Sequence, residues 1–339
     1  MAAVPTARAK LSSSIQRIDL TRRESYVWFV SLDDRVQHIV LGDVEVIRAI
    51  EWHEPFLPTS EFLPEVAAEV WTGNADWLAP DHWQPEADRM VIALQSWILR
   101  SGGRTILVDT GAGSRRERPG MAPWFHHRES DLLAVLSDAG VQPRDVDVVV
   151  NTHLHVDHVG GNTVDAGGQW VPAFPNAQYL IPAADDAHFG PDNASGEGLG
   201  EVDRLVYEDS VAPIHEAGQA VLWDGLYTID EHLTLESAPG HTPGTSVLRL
   251  ASGSDRAVFA GDVLHSPVQI LEPCCNSASC YLQKEAAATR RRILERAADE
   301  RELLIPGHFG ALEVRRSNGD FALGQWATLS PGSAQGSTD

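Results

Sequence analysis

Short apolar runs alternate with polar, Gly- and Pro-rich stretches along most of the chain, and the period of each run predicts its element. Met90 to Trp97 and Thr105 to Val108 are near-continuous apolar runs around Ser101-Gly102-Gly103, the pattern of a hairpin. Ile39-Val40-Leu41 and Val44-Glu45-Val46-Ile47 read as two strands about a tight turn at Gly42-Asp43. Asp131 to Ala139 predicts a short helix, with Leu132, Leu133, Val135 and Leu136 as its apolar face and Gly140 as its stop. Val146 to Val150 and Tyr179-Leu180-Ile181 predict strands, and so do residues 226–229, 233–236, 246–250 and 257–260. Lys284 to Glu300 predicts a long helix whose exposed face is Ala, Arg and Glu.

Three stretches read differently. Residues 52–88 carry Trp52, Trp71, Trp77 and Trp83 among prolines, a composition that rarely forms long regular elements. Those indoles wall a pocket, pack a dimer contact or simply bury themselves. Residues 185–225 are Gly/Asp-rich, then helical near Val202 to Tyr207, and read as a substrate-side insertion. The ends set the domain: residues 1–35 as an extension with an apolar cluster at Tyr26 to Val30, 36–318 as the folded domain, 319–339 as a Gly/Ser-rich disordered tail. Strands and helices alternate in two similar halves, so periodicity alone predicts a mixed α/β fold.

Composition narrows the class. The 339 residues suffice for one large α/β domain or two small ones, and 43% hydrophobic content is ordinary for a folded soluble chain. The net charge of −22, from 48 acidic and 26 basic residues, argues against a nucleic-acid partner. Met1 to Gln16 has no apolar segment of a secretory signal, and no run is long enough to cross a bilayer, so a cytoplasmic protein with no membrane partner is expected. Cys274, Cys275 and Cys280 fall in one loop, and an odd, clustered trio makes a poor disulfide framework. They read as loop thiols lining a wall; a third metal site there lacks an adjacent fourth ligand.

The chemistry is concentrated in His153-Leu154-His155-Val156-Asp157-His158, three imidazoles and a carboxylate within six residues. Neutral imidazole and carboxylate are preferred ligands of zinc and similar ions. Residues two apart on an extended chain point the same way, so His153 and His155 can reach one metal together. Asp157 and His158 follow, before a turn suggested by Gly160-Gly161, and can aim at a second position. Farther on, three short apolar strands each end in a ligand-type side chain: His241 in Gly240-His241-Thr242-Pro243-Gly244, Asp262 after Gly261, and His308 after Pro306-Gly307.

This series, H-x-H-x-D-H, G-H-T-P-G, G-D and P-G-H, resembles the metallo-β-lactamase-fold hydrolase superfamily over roughly residues 90–310. The resemblance implies a four-layer αβ/βα sandwich with the metal site at one edge of two sheets. It assigns His153, His155 and His241 to one divalent ion and Asp157, His158 and His308 to a second, with Asp262 bridging. Val108-Asp109-Thr110-Gly111 matches its first motif, where the Asp is a supporting residue. Two ions hold a hydroxide between them, and zinc is expected, with manganese, cobalt or iron(II) suited to the same ligands.

Within the superfamily, the run Thr152 to Thr163 and the run Gly261 to Pro267 look most like N-acyl-homoserine-lactone lactonases and methyl parathion hydrolase-like enzymes. The helical glutathione-binding domain of glyoxalase II is not expected, because few residues follow His308. Lactonases place a Tyr three residues after the bridging Asp, where this chain has His265; a neutral imidazole can donate the same hydrogen bond, or His265 is a packing residue. Asp157 is the expected proton shuttle to the leaving alkoxide. The resulting expectation is a lactone or carboxylic-ester hydrolase acting on a small, partly apolar molecule, as a homodimer. A phosphotriester or aryl-substrate hydrolase is the alternative, and a non-catalytic metal-binding module the other class. Loops at 52–88, 120–128, 185–225 and 265–283 are expected to wall the pocket, with Trp124, Phe125, Trp170 and Phe174 available for an acyl or aryl group.

Overall fold

A computed structural model describes residues 35–331 apart from 122, 192 and 194–198. The cluster at Tyr26 to Val30 and the rest of residues 1–34 of the N-terminal extension lie outside the described residues, as does the final Gly/Ser-rich stretch.

Two sheets form the centre. The first has nine strands, in the order Ala220–Trp223, Gln178–Pro182, Val148–Val150, Arg104–Val108, Arg89–Ser101, Val44–Pro58, Val36–Leu41 and Ser330–Pro331, with Trp83–Gln84 added on Arg89–Ser101. The second has seven, in the order Leu226–Thr228, Leu233–Ser237, Ser246–Ser252, Asp255–Gly261, Leu303–Pro306, Leu312–Ser317 and Asp320–Trp326. Between them lies a core to which Val46, Leu99, Val108, Val148 and Val150 contribute from one sheet and Leu235, Leu248, Phe259 and Ile305 from the other. The opposite face of the first sheet, with Val149 and Ile181, packs on Leu132, Val135 and Leu136 of the helix Leu132–Asp138. The outer face of the second sheet, with Val258 and Leu304, packs on Ile293, Leu294 and Ala297 of the helix Gln283–Glu300. These layers make the αβ/βα sandwich. They also explain the apolar runs: Val148, Val149 and Val150 alternate between two cores, so no position is left for a polar residue.

The strands bring one end of the sandwich to a common edge. Arg104–Val108, Val148–Val150 and Gln178–Pro182 are mutually parallel. In the second sheet Asp255–Gly261 and Leu303–Pro306 are parallel, and Leu233–Ser237 runs the same way because it is antiparallel to their shared neighbour Ser246–Ser252. Hydrogen bonds join the sheets there: Ser246 N–H donates to the Thr152 carbonyl at 2.9 Å and Ala93 N–H to the His308 carbonyl at 2.8 Å.

Two expectations are corrected. Residues 52–88 are more regular than their prolines suggest. The strand Val44–Pro58 runs deep into the segment, with register shifts at Ile50/Trp52 and Pro55/Pro58 that accommodate the irregular side chains. Trp52, Trp71 and Trp83 are buried in the chain's own core, so the expected dimer draws no support from those three indoles. The tail expected at 319–339 is ordered as far as Pro331. Asn318 and Gly319, both at positive φ, turn Leu312–Ser317 into Asp320–Trp326. Phe321 is buried in the outer core and Trp326 stacks on His82 with ring centroids 5.0 Å apart.

Trp326 is only half-buried, so Trp326→Ala is expected to lower unfolding stability by about 2 kcal/mol, less than a fully buried Trp. Urea unfolding of the metal-replete protein checks this; an unchanged midpoint would return the segment to a disordered tail.

Candidate metal centre

Each strand end delivers a side chain to the shared edge. The chain leaves Val148–Val150, places His153 and His155 in the following loop, and enters the short helix Val156–Val159 that carries Asp157 and His158. Gly160-Gly161 does not make a turn there but continues helically as Gly160–Asn162. The need for glycine is close approach: a Cβ on Gly160 would collide with the Ala112 carbonyl, and one on Gly161 with that of Thr110. His241, Asp262 and His308 arrive from the second sheet.

The structure brings all seven sequence-predicted residues together in two groups. His153, His155, His241 and Asp262 form one, Asp157, His158 and His308 the other, and the ligand atoms within each lie within 4.8 Å of one another. Asp262 faces both. Its Oδ2 is 3.3 Å from His241 Nε2 and 3.7 Å from His153 Nε2, while its Oδ1 is 3.2 Å from His158 Nε2 and 3.1 Å from His308 Nε2. Asp157 Oδ2 lies 3.5 Å from His308 Nε2 and 3.7 Å from His158 Nε2.

The outward ring nitrogens have partners that decide which nitrogen faces inward. His158 Nδ1 lies 2.8 Å from Asp109 Oδ2, and His308 Nδ1 3.0 Å from the Ala93 carbonyl. Both Nδ1 atoms therefore donate, and each Nε2 is the nitrogen that faces the centre, where a cation would replace any proton it carries. Asp109 sits at φ 59°, a left-handed backbone that turns its carboxylate to accept from Thr152 N–H and Oγ1–H, both at 2.8 Å. His153 Nε2, His158 Nε2 and Asp262 Oδ1 are buried with no hydrogen-bond partner. His241 Nε2 stands 2.8 Å from His155 Nδ1, two ring nitrogens aimed at one point. Buried ring nitrogens and carboxylate oxygens converging on common points are what divalent cations satisfy, so this donor set fits them.

Burial drives His153 and His155 well below the usual imidazole range, with His158 and His241 respectively adding to the effect. Burial also lowers His158, but Asp262, Asp157 and Asp109 outweigh it and hold that ring well above its usual value. His241 ends at about 9, because Asp262 and Cys280 outweigh its burial. Asp262 is held far down: burial raises it, and His158, His308 and His265 overcome that.

The centre opens into a cleft of about 470 Å³, and His155, Asp157, Asp262, His265 and His308 reach its lining. All four expected loop regions contribute: Phe56 and Phe62, Met121 and Phe125, Val202 and Asp203, and Ala278 to Tyr281. Of the four aromatics singled out in the sequence, only Phe125 lines it. Trp124 packs behind Phe56 at 4.8 Å, Trp170 lies under the Arg116 guanidinium at 3.7 Å, and Phe174 is core. His265 is buried, its Nε2 3.1 Å from Asp262 Oδ2 and its ring edge-on to Phe62 at 5.2 Å; burial holds it at about 4, against the pull of Asp262.

Sequence reasoning missed Asp185 and Tyr281, and for Cys280, which lines the cleft wall as expected, it missed the contact with His241. Asp185, fully buried, accepts from Leu154 N–H at 3.0 Å, Thr242 Oγ1–H at 2.8 Å and Gly244 N–H at 2.5 Å. It thereby ties the His153/His155 loop to the His241 loop. Cys280 Sγ lies 3.5 Å from His241 Nδ1. Tyr281 lines the cleft with its ring 5.7 Å from that of His155. The only signal for Asp185 was an acidic residue just past an apolar strand.

Comparison with known proteins agrees with this geometry. Residues 93–308 match the metallo-beta-lactamase superfamily family, and the chain belongs to it. A hydroxyacylglutathione hydrolase of Halorhodospira halophila is 33% identical over 132 residues, covering 38% of this chain and 42% of that protein. The N-acyl homoserine lactonase AttM of Azorhizobium caulinodans is 30% identical over 132 residues, covering 36% of this chain and 42% of that protein. The match therefore spans under half the length of either relative. Among solved structures, AidC, a dizinc quorum-quenching lactonase in complex with a product N-hexanoyl-L-homoserine, superposes with a TM-score of 0.68 at 25% identity, over 85% of this chain and 96% of that one. No helix among the described residues is long and apolar enough to cross a membrane.

Two outcomes follow from the electrostatics and the carboxylate clamp. With His241 raised to about 9, the metal-free protein holds a proton there at neutral pH that a cation must displace. Zinc binding should then release at least about one proton per chain, and affinity should fall as pH drops below about 9. Calorimetric titration of metal-free protein in buffers of differing ionisation enthalpy measures this; no release would contradict it. Asp185→Ala should weaken metal binding about 10- to 100-fold, read by competition with a chelating dye.

Proposed function

We propose that the chain is a binuclear metal-dependent hydrolase that opens a lactone or cleaves a carboxylic ester bearing an apolar acyl or aryl part. The observation that carries this reading is the union of the His/Asp centre with an apolar cleft. Phe56, Phe62, Ile92, Met121 and Phe125 wall it, and among the described residues no Lys or Arg lines it. Among the described residues, a substrate with carboxylates or phosphates, such as a glutathione conjugate, would meet Asp157, Asp203 and Asp262 as the charged side chains beyond the imidazoles. An uncharged acyl chain instead gains about 25 cal/mol per Å² of apolar surface removed from water. The likeness to AidC and AttM, both lactonases by name, supports the same class.

In this reading His153, His155 and His241 hold one ion and Asp157, His158 and His308 the other, with Asp262 shared and zinc as the expected metal. Two such ions, when bound, bring the pKa of water into the neutral range and polarise a carbonyl oxygen. The chain's own groups orient the reaction. The aromatic walls bind the acyl part and exclude water. His265, kept neutral by burial, donates an N–H to the carbonyl oxygen as negative charge develops on it. Asp157, at the cleft surface, carries a proton to the departing alkoxide.

Acyl-homoserine lactones, aryl esters and phosphotriesters assayed side by side with the metal-replete protein test the class. Turnover of lactones or esters is expected. Turnover of phosphotriesters alone would overturn the substrate class, and no turnover with two ions bound would mark a binding module. His265→Phe should lower kcat about 10- to 100-fold with little change in KM. An unchanged kcat would make His265 a packing residue.

A further inference from the structure

A second group of ligand-type side chains lies outside the hydrolytic centre. Glu272, Cys274 and Cys275 place one carboxylate oxygen and two sulfurs within 4.8 Å of one another. The backbone there is a turn: Cys275 N–H donates to the Glu272 carbonyl at 3.0 Å, and Pro273 sets the bend with its fixed φ. Its underside is held by Arg290, fully buried, which donates to the carbonyls of Pro273 at 2.9 Å and Cys275 at 2.8 Å. Asn276 N–H donates to the Glu65 carboxylate at 2.7 Å and fixes the turn's exit. The two sulfurs are therefore set by a rigid frame, and all three cysteines of the loop are free thiols.

The chemistry of this group is unlike that of the histidine centre. Two adjacent thiols with a carboxylate form a soft, anionic donor set of the kind that selects zinc, cadmium or copper(I). Burial pushes the Cys275 thiol up to about 12, with Cys274, Glu272 and Glu65 adding to it, so a cation there must displace a firmly held proton and binds more tightly as pH rises. The other surface group, Glu117, His126 and His127, is chemically weaker. The Nδ1 lone pair of His126 already accepts the Arg118 N–H at 2.9 Å, which leaves Nε2 protonated.

We propose that Glu272, Cys274 and Cys275 bind one thiophilic divalent cation, such as zinc or cadmium, separately from the histidine centre. A water completes its coordination from the exposed Cys274 side. The site bears on the cleft through one side chain. Gln269 donates to the Cys275 carbonyl at 2.9 Å and accepts the His265 N–H at 2.8 Å. A cation at the turn stiffens the wall that seats His265.

The test is a titration with cadmium alone of the full chain loaded with two zinc ions per chain, enough to fill only the histidine centre. It is read by thiolate-to-cadmium charge-transfer absorption, by zinc and cadmium content, and by thermal unfolding. The expected result is one cadmium per chain taken up with zinc retained, charge-transfer absorption, and a higher Tm. Cys274→Ser, at an exposed position that does not threaten folding, should weaken this binding about 100-fold, and Glu272→Gln about tenfold. Cys280→Ser should leave the absorption unchanged. The proposal is overturned if wild type shows no absorption, or if the absorption survives Cys274→Ser and vanishes in Cys280→Ser. Cadmium entering only as zinc leaves, or thiol counting that finds Cys274 and Cys275 joined as a disulfide, would equally overturn it.

Discussion

One carboxylate holds the arrangement together. Asp262 is buried, and each of its oxygens faces a different set of imidazoles. A buried carboxylate without opposite charge costs several kcal/mol, so this position is tolerable only when cationic partners stand on both sides. That requirement fixes where the strand ends must lie. The strand Asp255–Gly261 carries Asp262 to the edge, and its parallel neighbour Leu303–Pro306 carries His308 beside it. The first sheet must then bring its own histidines to the same edge, which it does through the Thr152 carbonyl that accepts both Ser246 N–H and Ser246 Oγ–H at 2.9 Å.

Around Asp262, two further buried carboxylates act as clamps rather than as candidate ligands. Asp109 grips the base of the His153 loop and the back of His158, and Asp185 grips the far side of the same loop and the His241 turn. Both accept backbone N–H groups, so their hydrogen bonds fix main chain as well as side chains. Asp185 is raised to about 6 because its burial outweighs the bonds from Thr242, Gly244 and Leu154. The ligand cage is thus assembled from four loops whose relative positions depend on three acidic residues. A protein of net charge −22 places some of that charge where cations can neutralise it.

Much of this was legible in the chain, for identifiable reasons. Strands buried on both faces show as unbroken apolar runs, and the ligand residues sit immediately after such runs, so Val148–Val150 announced the His153 loop and Leu303–Pro306 announced His308. The helix Gln283–Glu300 was visible from its composition. What was not legible depends on contacts between distant segments. Asp185 and Cys280 take their roles from His153 and His241 loops far away in sequence, and no local pattern marks them. The cleft aromatics Phe56 and Phe62 were hidden in a stretch whose prolines suggested irregular chain. The hairpin at Asn318-Gly319 carries a local turn signal, but it stands next to final residues whose Gly/Ser composition is that of a disordered tail.

The cleft and the cage are made by the same elements, so in the proposed hydrolase substrate selection and metal binding would be coupled. Phe62 packs against His265, which packs against Asp262. The claim on which everything rests is that Asp262 is shared between two ions. Anomalous diffraction from crystals of the zinc-replete protein tests it most directly. Two zinc peaks are predicted, one ringed by His153, His155 and His241 and one by Asp157, His158 and His308, each in contact with a different oxygen of Asp262. A single peak, or two ions of which only one touches Asp262, would contradict it.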